Sequence, residues 1–256
     1  IMLFTNLVQT NLRTKFLGQQ IEYYTRLKST NEEGWELFND NAKPGTVVIT
    51  DNQFGGKGRN SRSWLTTANK SLSFSILIKK EIPVKLCGWI PIITALSIER
   101  GLHNFQIQTS FKWPNDILLD RKKLGGVLIE SKIKSALVNK LVIGIGLNIN
   151  ESKDELDSLI TSVATSLHIH SGKIFQRERI LAEILNEMEP IIEEFPNNID
   201  KICENWIANC DHLDKKIQFH SGSNVISGVF KGLGENGSAI IKTNQSEQEF
   251  HSGEVY

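Results

Sequence analysis

Between Val47 and Asn150 the apolar residues come in short runs, each closed by a polar or glycine-containing turn. Val47-Val48-Ile49-Thr50 is β-branched throughout and reads as a buried strand. Leu72-Ser73-Phe74-Ser75-Ile76 alternates with period two, the mark of a half-buried strand. Phe111-Lys112-Trp113, Ile117-Leu118-Leu119, Val127-Leu128-Ile129-Glu130 and Leu141-Val142-Ile143-Gly144 follow, the last two as central strands. Few stretches between them could be crossover helices. A chain built this way folds as a mainly antiparallel sheet in an α+β domain.

Helical signals flank the strands. Gln20 to Tyr24 reads as a short strand. Thr30 is then in place to cap a helix, with Glu33 at the capping-box position, running through Trp35, Leu37 and Phe38 and ending before Pro44-Gly45. Gly88 to His103 is helical, with Pro91 tolerable in the first turn. Gln176 to Phe195 is the clearest helix, since Ile180, Leu181, Ile184, Leu185 and Met188 recur at helical spacing. Pro190 can kink it, and its acidic residues are expected on a solvated face. From about Asp211 the texture changes to Ile217–Phe219, Val225–Ser227, Gly228–Phe230, Ala239–Ile241 and Phe250, punctuated by Gly222, Gly232, Gly234 and Gly237. That suits a small C-terminal SH3-like β-barrel, residues 211–256, after a larger domain, 1–210.

Composition narrows the function classes. Lys plus Arg equals Asp plus Glu at 29 each, without the basic excess of a dedicated nucleic-acid binder. Cys87, Cys203 and Cys210 give an odd, sparse count that suits a reducing compartment. Cys203 and Cys210 are expected in one helix facing the core. His168 and His170 have no cysteine or carboxylate around them at zinc-site spacing, so no metal held by side chains alone is expected. No long apolar segment and no secretory signal pattern is visible, which makes the cytoplasm the default.

Four stretches could carry chemistry. Gln53-Phe54-Gly55-Gly56-Lys57-Gly58-Arg59-Asn60-Ser61-Arg62-Ser63-Trp64 combines glycines that let backbone approach a ligand with three cations, an anion site in an otherwise neutral chain. It fits neither a Walker loop nor a dinucleotide fingerprint, and its bland alternative is a surface loop. Lys112-Trp113-Pro114-Asn115-Asp116 presents a cation, an amide and a carboxylate on a turn stiffened by Pro114; the alternative is a strand end with a surface charge pair. Lys123-Leu124-Gly125-Gly126 places a lysine before a glycine-floored strand, or is a plain hairpin. In Gly144-Ile145-Gly146-Leu147-Asn148, Gly144, Gly146 and Asn148 would share one strand face, a shelf for a planar ring or a tightly packed strand.

Taken together and in this order, the four stretches resemble the biotin protein ligases, whose pattern is a glycine- and arginine-rich loop ending in tryptophan, then Lys-Trp-Pro-Asn-Asp, Lys-Leu-(Gly/Ala)-Gly and Gly-x-Gly-x-Asn. Ser29-Thr30-Asn31 matches the family's biotin-recognition triplet. Two positions depart from it: Lys57 stands for the first loop arginine, without its bidentate fork, and Ser61 for the last glycine. The triplet comes too early for the helix-turn-helix domain of bifunctional members, so the resemblance is to the ligase-only type.

The resemblance implies a two-step reaction using biotin, ATP and Mg²⁺, with a biotin carboxyl carrier domain as acceptor, no nucleic acid or membrane partner, and a homodimer as an option. It assigns biotin to Ser29, Thr30, Asn31, Gln53, Gly56, Lys57, Arg59, Lys123, Gly126, Gly144 and Gly146. Phosphates and nucleotide fall to Arg59, Arg62, Trp64, Lys112, Asn115 and Asn148. Lys123 is the expected central catalytic residue, with Arg59, while Asp116 orients the incoming lysine. A lipoate or octanoate ligase or transferase is the neighbouring reading. A nucleic-acid-binding regulatory module is the non-enzymatic one.

Overall fold

In the computed structural model, residues 2–159, 164–222, 224–244 and 246–256 are described. The elements are α1 (Thr5–Asn11), β1 (Ile21–Tyr24), α2 (Thr30–Asn39), β2 (Val47–Thr50), β3 (Gly56–Lys57), β4 (Ser63–Trp64), β5 (Leu72–Ile78), β6 (Ile82–Pro83), α3 (Trp89–His103), β7 (Ser110–Lys112), β8 (Asp116–Leu119), β9 (Lys122–Lys134) and β10 (Leu137–Leu147). Then come α4 (Lys153–Leu159), α5 (Leu167–Ser171), α6 (Arg177–Glu194), α7 (Ile199–Ala208), β11 (Lys216–Ser221), β12 (Asn224–Leu233), β13 (Ala239–Lys242), β14 (Glu247–Phe250) and β15 (Glu254–Val255).

The large sheet runs β1-β2-β5-β10-β9-β8-β7, with β6 on β10. It is antiparallel except between β1 and β2, as the turn-rich sequence implied. Its two faces differ. Leu72, Phe74, Ile76 and Ile143 join the main core with α3 and α6. On the other face α2 covers Val48, Leu77 and Val142. Gly34 makes that approach possible, since a Cβ there would already lie 3.1 Å from Val142. Along this second face the side chains shrink beyond the helix, from Leu77 and Val142 to Ser75, Gly144, Ser73 and Gly146, with Gly126 opposite Gly146 on β9. The helix stops covering the sheet where the sheet has nothing large to cover, and a hollow results.

Several sequence expectations are corrected. β5 is buried on both faces rather than half-buried, with Ser75 covered by Thr30 and Asn31. The cap of α2 is Ser29, whose side chain accepts from the Glu32 N–H, not Thr30. Glu33 instead accepts from the Tyr24 hydroxyl at 2.7 Å. The acidic residues of α6 are only partly solvated: Glu193 and Glu194 are exposed, but Glu178, Glu183 and Glu189 are buried. Glu178 accepts from the Phe4 N–H at 2.9 Å, and Glu189 from the Phe16 and Leu17 N–H groups at 2.9 and 2.8 Å. Carboxylates here satisfy backbone donors of an irregular N-terminal segment. Cys210 lies beyond the end of α7, bridged to Phe111.

The C-terminal strands form a second antiparallel sheet, β14-β13-β12-β11-β15. Val225 to Phe230 belongs to one long strand, β12, not two. The sheet packs into the same apolar cluster as the large one. Trp89 and Trp113 of the large sheet's layer donate their indole N–H groups to Glu235 and Gly237 carbonyls at 2.8 and 3.1 Å.

Candidate active site

The hollow is a cavity of about 380 Å³, within the range of small-molecule sites. Of the residues singled out from the sequence, Ser29, Thr30, Asn31, Gln53, Lys57, Arg59, Arg62, Trp64, Lys112, Asn115, Asp116, Lys123, Gly126, Gly144 and Gly146 line it. Stretches separated by more than a hundred positions thus meet in one place.

Its floor depends on missing side chains. A Cβ on Gly144 would come within 2.3 Å of Asn31 Oδ1, and one on Gly146 within 2.4 Å of the Trp64 indole. Gly56 is not in the wall. It is buried in the β3–β4 hairpin, where a Cβ would strike Gln53 Nε2 and the Trp64 carbonyl at 2.5 Å, so it positions two residues that are. Asn148 is also outside the wall. It follows β10 and its amide donates to the Thr165 carbonyl at 3.0 Å, which ties the strand end to the next segment.

One end of the cavity is polar and uncharged. The Thr30 N–H donates to Gln53 Oε1 at 2.9 Å, and Asn31 Nδ2 donates to Glu130 at 2.9 Å. Ser75 Oγ lies 2.7 Å from Thr30 Oγ1 and 2.6 Å from Asn31 Oδ1.

The other end is cationic. Lys123 Nζ pairs with Asp116 at 2.7 Å and lies 6.0 Å from the Trp64 ring centroid. Asp116 is thereby engaged by Lys123, across the β8–β9 pairing that sets Asp116 opposite Gly126. Arg59 donates to Asn115 Oδ1 at 3.3 Å and to the Gly253 carbonyl at 3.4 Å. Burial pulls its guanidinium below the ordinary value, against the pull of Glu254 and Asp116. Asn115 is fixed by donating to the Val127 carbonyl at 2.9 Å. Lys57 turns away toward Glu32 at 2.7 Å, a hydrogen bond that raises its pKa.

The C-terminal strand supplies wall residues that no motif announced. Glu254 pairs with Arg62 at 2.7 Å and accepts from Asn60 at 3.1 Å. Arg62 also donates to the Tyr256 hydroxyl at 3.0 Å, and Lys112 Nζ sits 4.9 Å over the Tyr256 ring. Burial pushes the Glu254 carboxyl up, but hydrogen bonds from Tyr256 and Arg62 outweigh it and hold it below the ordinary carboxylate value. A lone Gly-Glu pair in a β-rich tail carries no sequence signal for such a contact. Among the described residues no three His, Cys, Asp or Glu side chains form a metal cluster.

Fold and cavity together resemble those of the biotin protein ligases. The family model described as "Biotin/lipoate A/B protein ligase family" matches residues 23–148. The chain is 27% identical over 250 residues to the bifunctional ligase/repressor BirA of Bacillus subtilis, covering 97% of this chain and 77% of that one. It is 24% identical to the biotin–[acetyl-CoA-carboxylase] ligase of Mycobacterium tuberculosis, covering 96% and 94% of the two. Among solved structures, the biotin protein ligase from Aquifex aeolicus in complex with biotin and ATP superposes with a TM-score of 0.77 at 28% identity, over 93% of this chain and 98% of that one.

Proposed function

We propose that this chain activates biotin with ATP and transfers it to a lysine of an acceptor protein. One observation carries the reading: a single cavity joins a neutral, glycine-floored end to a cluster of cations from three separate stretches. The neutral end suits an uncharged ring, and the cationic end suits the acid and the nucleotide.

In the first step a biotin carboxylate oxygen bonds to the α-phosphorus of ATP, and pyrophosphate leaves. Two anions must touch for this, and their repulsion at 4 Å is roughly 4 kcal/mol at an effective dielectric near 20. Lys123, Arg59, Arg62 and Lys112 offset it and stabilise charge as it develops. Trp64 covers the adenylate over Gly146, and Asn115 holds Arg59 in position. In the second step the acceptor lysine amine attacks the acyl carbon and AMP leaves. A free lysine amine titrates near 10.4, so a base is needed at neutral pH; Asp116 fills that role once Lys123 has moved to the anions.

Mg²⁺ enters with the nucleotide in this reading. The cavity's carboxylates, Asp116 and Glu254, are each engaged by a cation, so the wall offers no cradle of its own. Phosphate oxygens suit this hard ion. The acceptor is a biotin carboxyl carrier domain, the compartment the cytoplasm, and a second copy of the chain is an optional partner at an edge strand of the sheet. No described helix is long and apolar enough to cross a membrane. A catalytic unit, 1–210, with an SH3-like module, 211–256, belongs to the same proposal.

ATP–pyrophosphate exchange tests it. Exchange that requires biotin and is not supported by lipoate is expected. Exchange with lipoate alone would move the chain to the neighbouring class.

A further inference from the structure

Asn31 lies across β10 where Gly144 has no side chain. Gly144 pairs with Ser75 on one side and with Leu128 on the other, and Glu130 stands opposite Val142, one step along the same face. The Asn31 amide therefore reaches from β5 to β9. Its Nδ2 lies 2.9 Å from Glu130 Oε2 and its Oδ1 2.6 Å from Ser75 Oγ. Ser75 Oγ is in turn 2.7 Å from Thr30 Oγ1. Glu130 itself does not line the cavity; Thr30, Asn31 and Gln53 do.

One partner in this row has a fixed polarity. The hydroxyls of Ser75 and Thr30 each donate once and accept freely, and an asparagine amide can be turned end for end. An ionised carboxylate only accepts. Glu130 therefore draws Nδ2 to itself and leaves Oδ1 facing Ser75. Oδ1 cannot donate, so the single Ser75 proton goes to it. The contact between Ser75 and Thr30 then takes the Thr30 proton. Thr30 Oγ1 also approaches Gln53 Oε1, but at 3.3 Å, the longer of its two contacts. Thr30 is left with lone pairs for the cavity. Gln53 is set independently: its Oε1 is held by the Thr30 backbone N–H at 2.9 Å, so Nε2 remains to donate.

We infer that Glu130 is a positioning residue whose carboxylate orders the row Thr30, Ser75, Asn31, so that the neutral end of the cavity offers an acceptor from Thr30 beside a donor from Gln53. That pair fits a ring with an N–H next to a carbonyl, as in a cyclic urea, and so deepens the biotin reading on which it rests. With a neutral amide at position 130 the row has two directions. In the reversed one Thr30 donates toward a ring N–H, and a buried polar group goes unmatched.

The test is biotin-dependent ATP–pyrophosphate exchange by the wild-type chain, Glu130→Gln and Ser75→Ala, with thermal melts alongside. Glu130→Gln keeps the shape and removes the fixed polarity; Ser75→Ala breaks the row in the middle. The KM for biotin is expected to rise about tenfold in both, as loss of one buried hydrogen bond allows. KM for ATP and kcat at saturating biotin should stay within about twofold. A wild-type chain without biotin-dependent exchange would sink the biotin reading itself. A wild-type chain that exchanges, with KM for biotin unchanged in Glu130→Gln, overturns the role of Glu130 alone. So does a fall in kcat without a change in that KM. If Glu130→Gln fails to melt as a folded protein, Ser75→Ala decides the matter by the same KM criterion.

Discussion

In the proposed reaction Lys123 holds the charge on which the chemistry turns. Its ammonium sits beside Asp116 at 2.7 Å, in the cationic end of the cavity. Lys123→Ala is expected to lower adenylate formation by about 10²–10³-fold, the usual cost of one preorganised charge-stabilising donor. Biotin should still bind, as calorimetry would register; retained turnover would refute the role. Gly146 makes a second residue-level case. Its missing Cβ leaves room for the Trp64 indole, which a methyl would meet at 2.4 Å. Gly146→Ala should displace Trp64 and raise KM for ATP several-fold more than KM for biotin, since the proposed biotin end lies over Gly144. Both residues were legible in the sequence because each sits in a short motif whose chemistry is complete within a few positions. Asn148 shows the limit of that logic: it shares the motif, yet β10 ends at Leu147 and its amide is used to hold Thr165.

At the scale of elements, the β3–β4 hairpin and its connecting turn carry Arg59 and Arg62 to the cavity. Their side chains are tied to Asn115, Gly253 and Glu254 rather than to their own hairpin. Positive φ at Asn60 and Ser61, 54° and 59°, shapes the turn between them. Ser61 is therefore a side chain in a backbone region that favours glycine. Removing the tether should open the cover: Arg59→Ala is expected to release adenylate into solution, seen as free biotinyl-AMP after gel filtration. Tight retention of the intermediate in that variant would contradict a covering role. The Glu254 contact is the part of this element that sequence reading could not supply. It joins positions almost two hundred residues apart, and neither strand carries a motif for the other. The burial of acids on α6 escaped for a related reason. The pattern of a helix shows which face is apolar, but not that backbone N–H groups from a distant segment will need acceptors on the other face.

On the scale of the whole molecule, the two sheets share one apolar cluster, and His212 stands at their junction. Its ring packs 4.2 Å from Phe230 and 6.2 Å from Trp206, between centroids. Burial, with Lys112 and Lys215 nearby, lowers its pKa to about 3. In the unfolded chain it takes a proton near 6.5, and in the folded chain only near 3. The unfolded state therefore binds more protons between those values, and stability falls as pH drops through that window, by at most about 1.4 kcal/mol per pH unit from this group. Melting temperature should decline from pH 6.5 downward, and His212→Gln should flatten that slope even if it melts lower at neutral pH. An unchanged slope would remove His212 as its source. The antiparallel order of the large sheet was readable from turn spacing alone. The way the second sheet closes one wall of the cavity was not, since it depends on how two sheets distant in sequence pack together.

The most direct measurement mixes the protein with ATP, Mg²⁺ and biotin and weighs the products by mass spectrometry. A cavity that forces a carboxylate against a nucleotide phosphate should yield biotinyl-5'-AMP, retained on the protein and lost in Lys123→Ala. Absence of the adenylate from the wild-type chain, or its formation in equal amount by Lys123→Ala, would contradict the account.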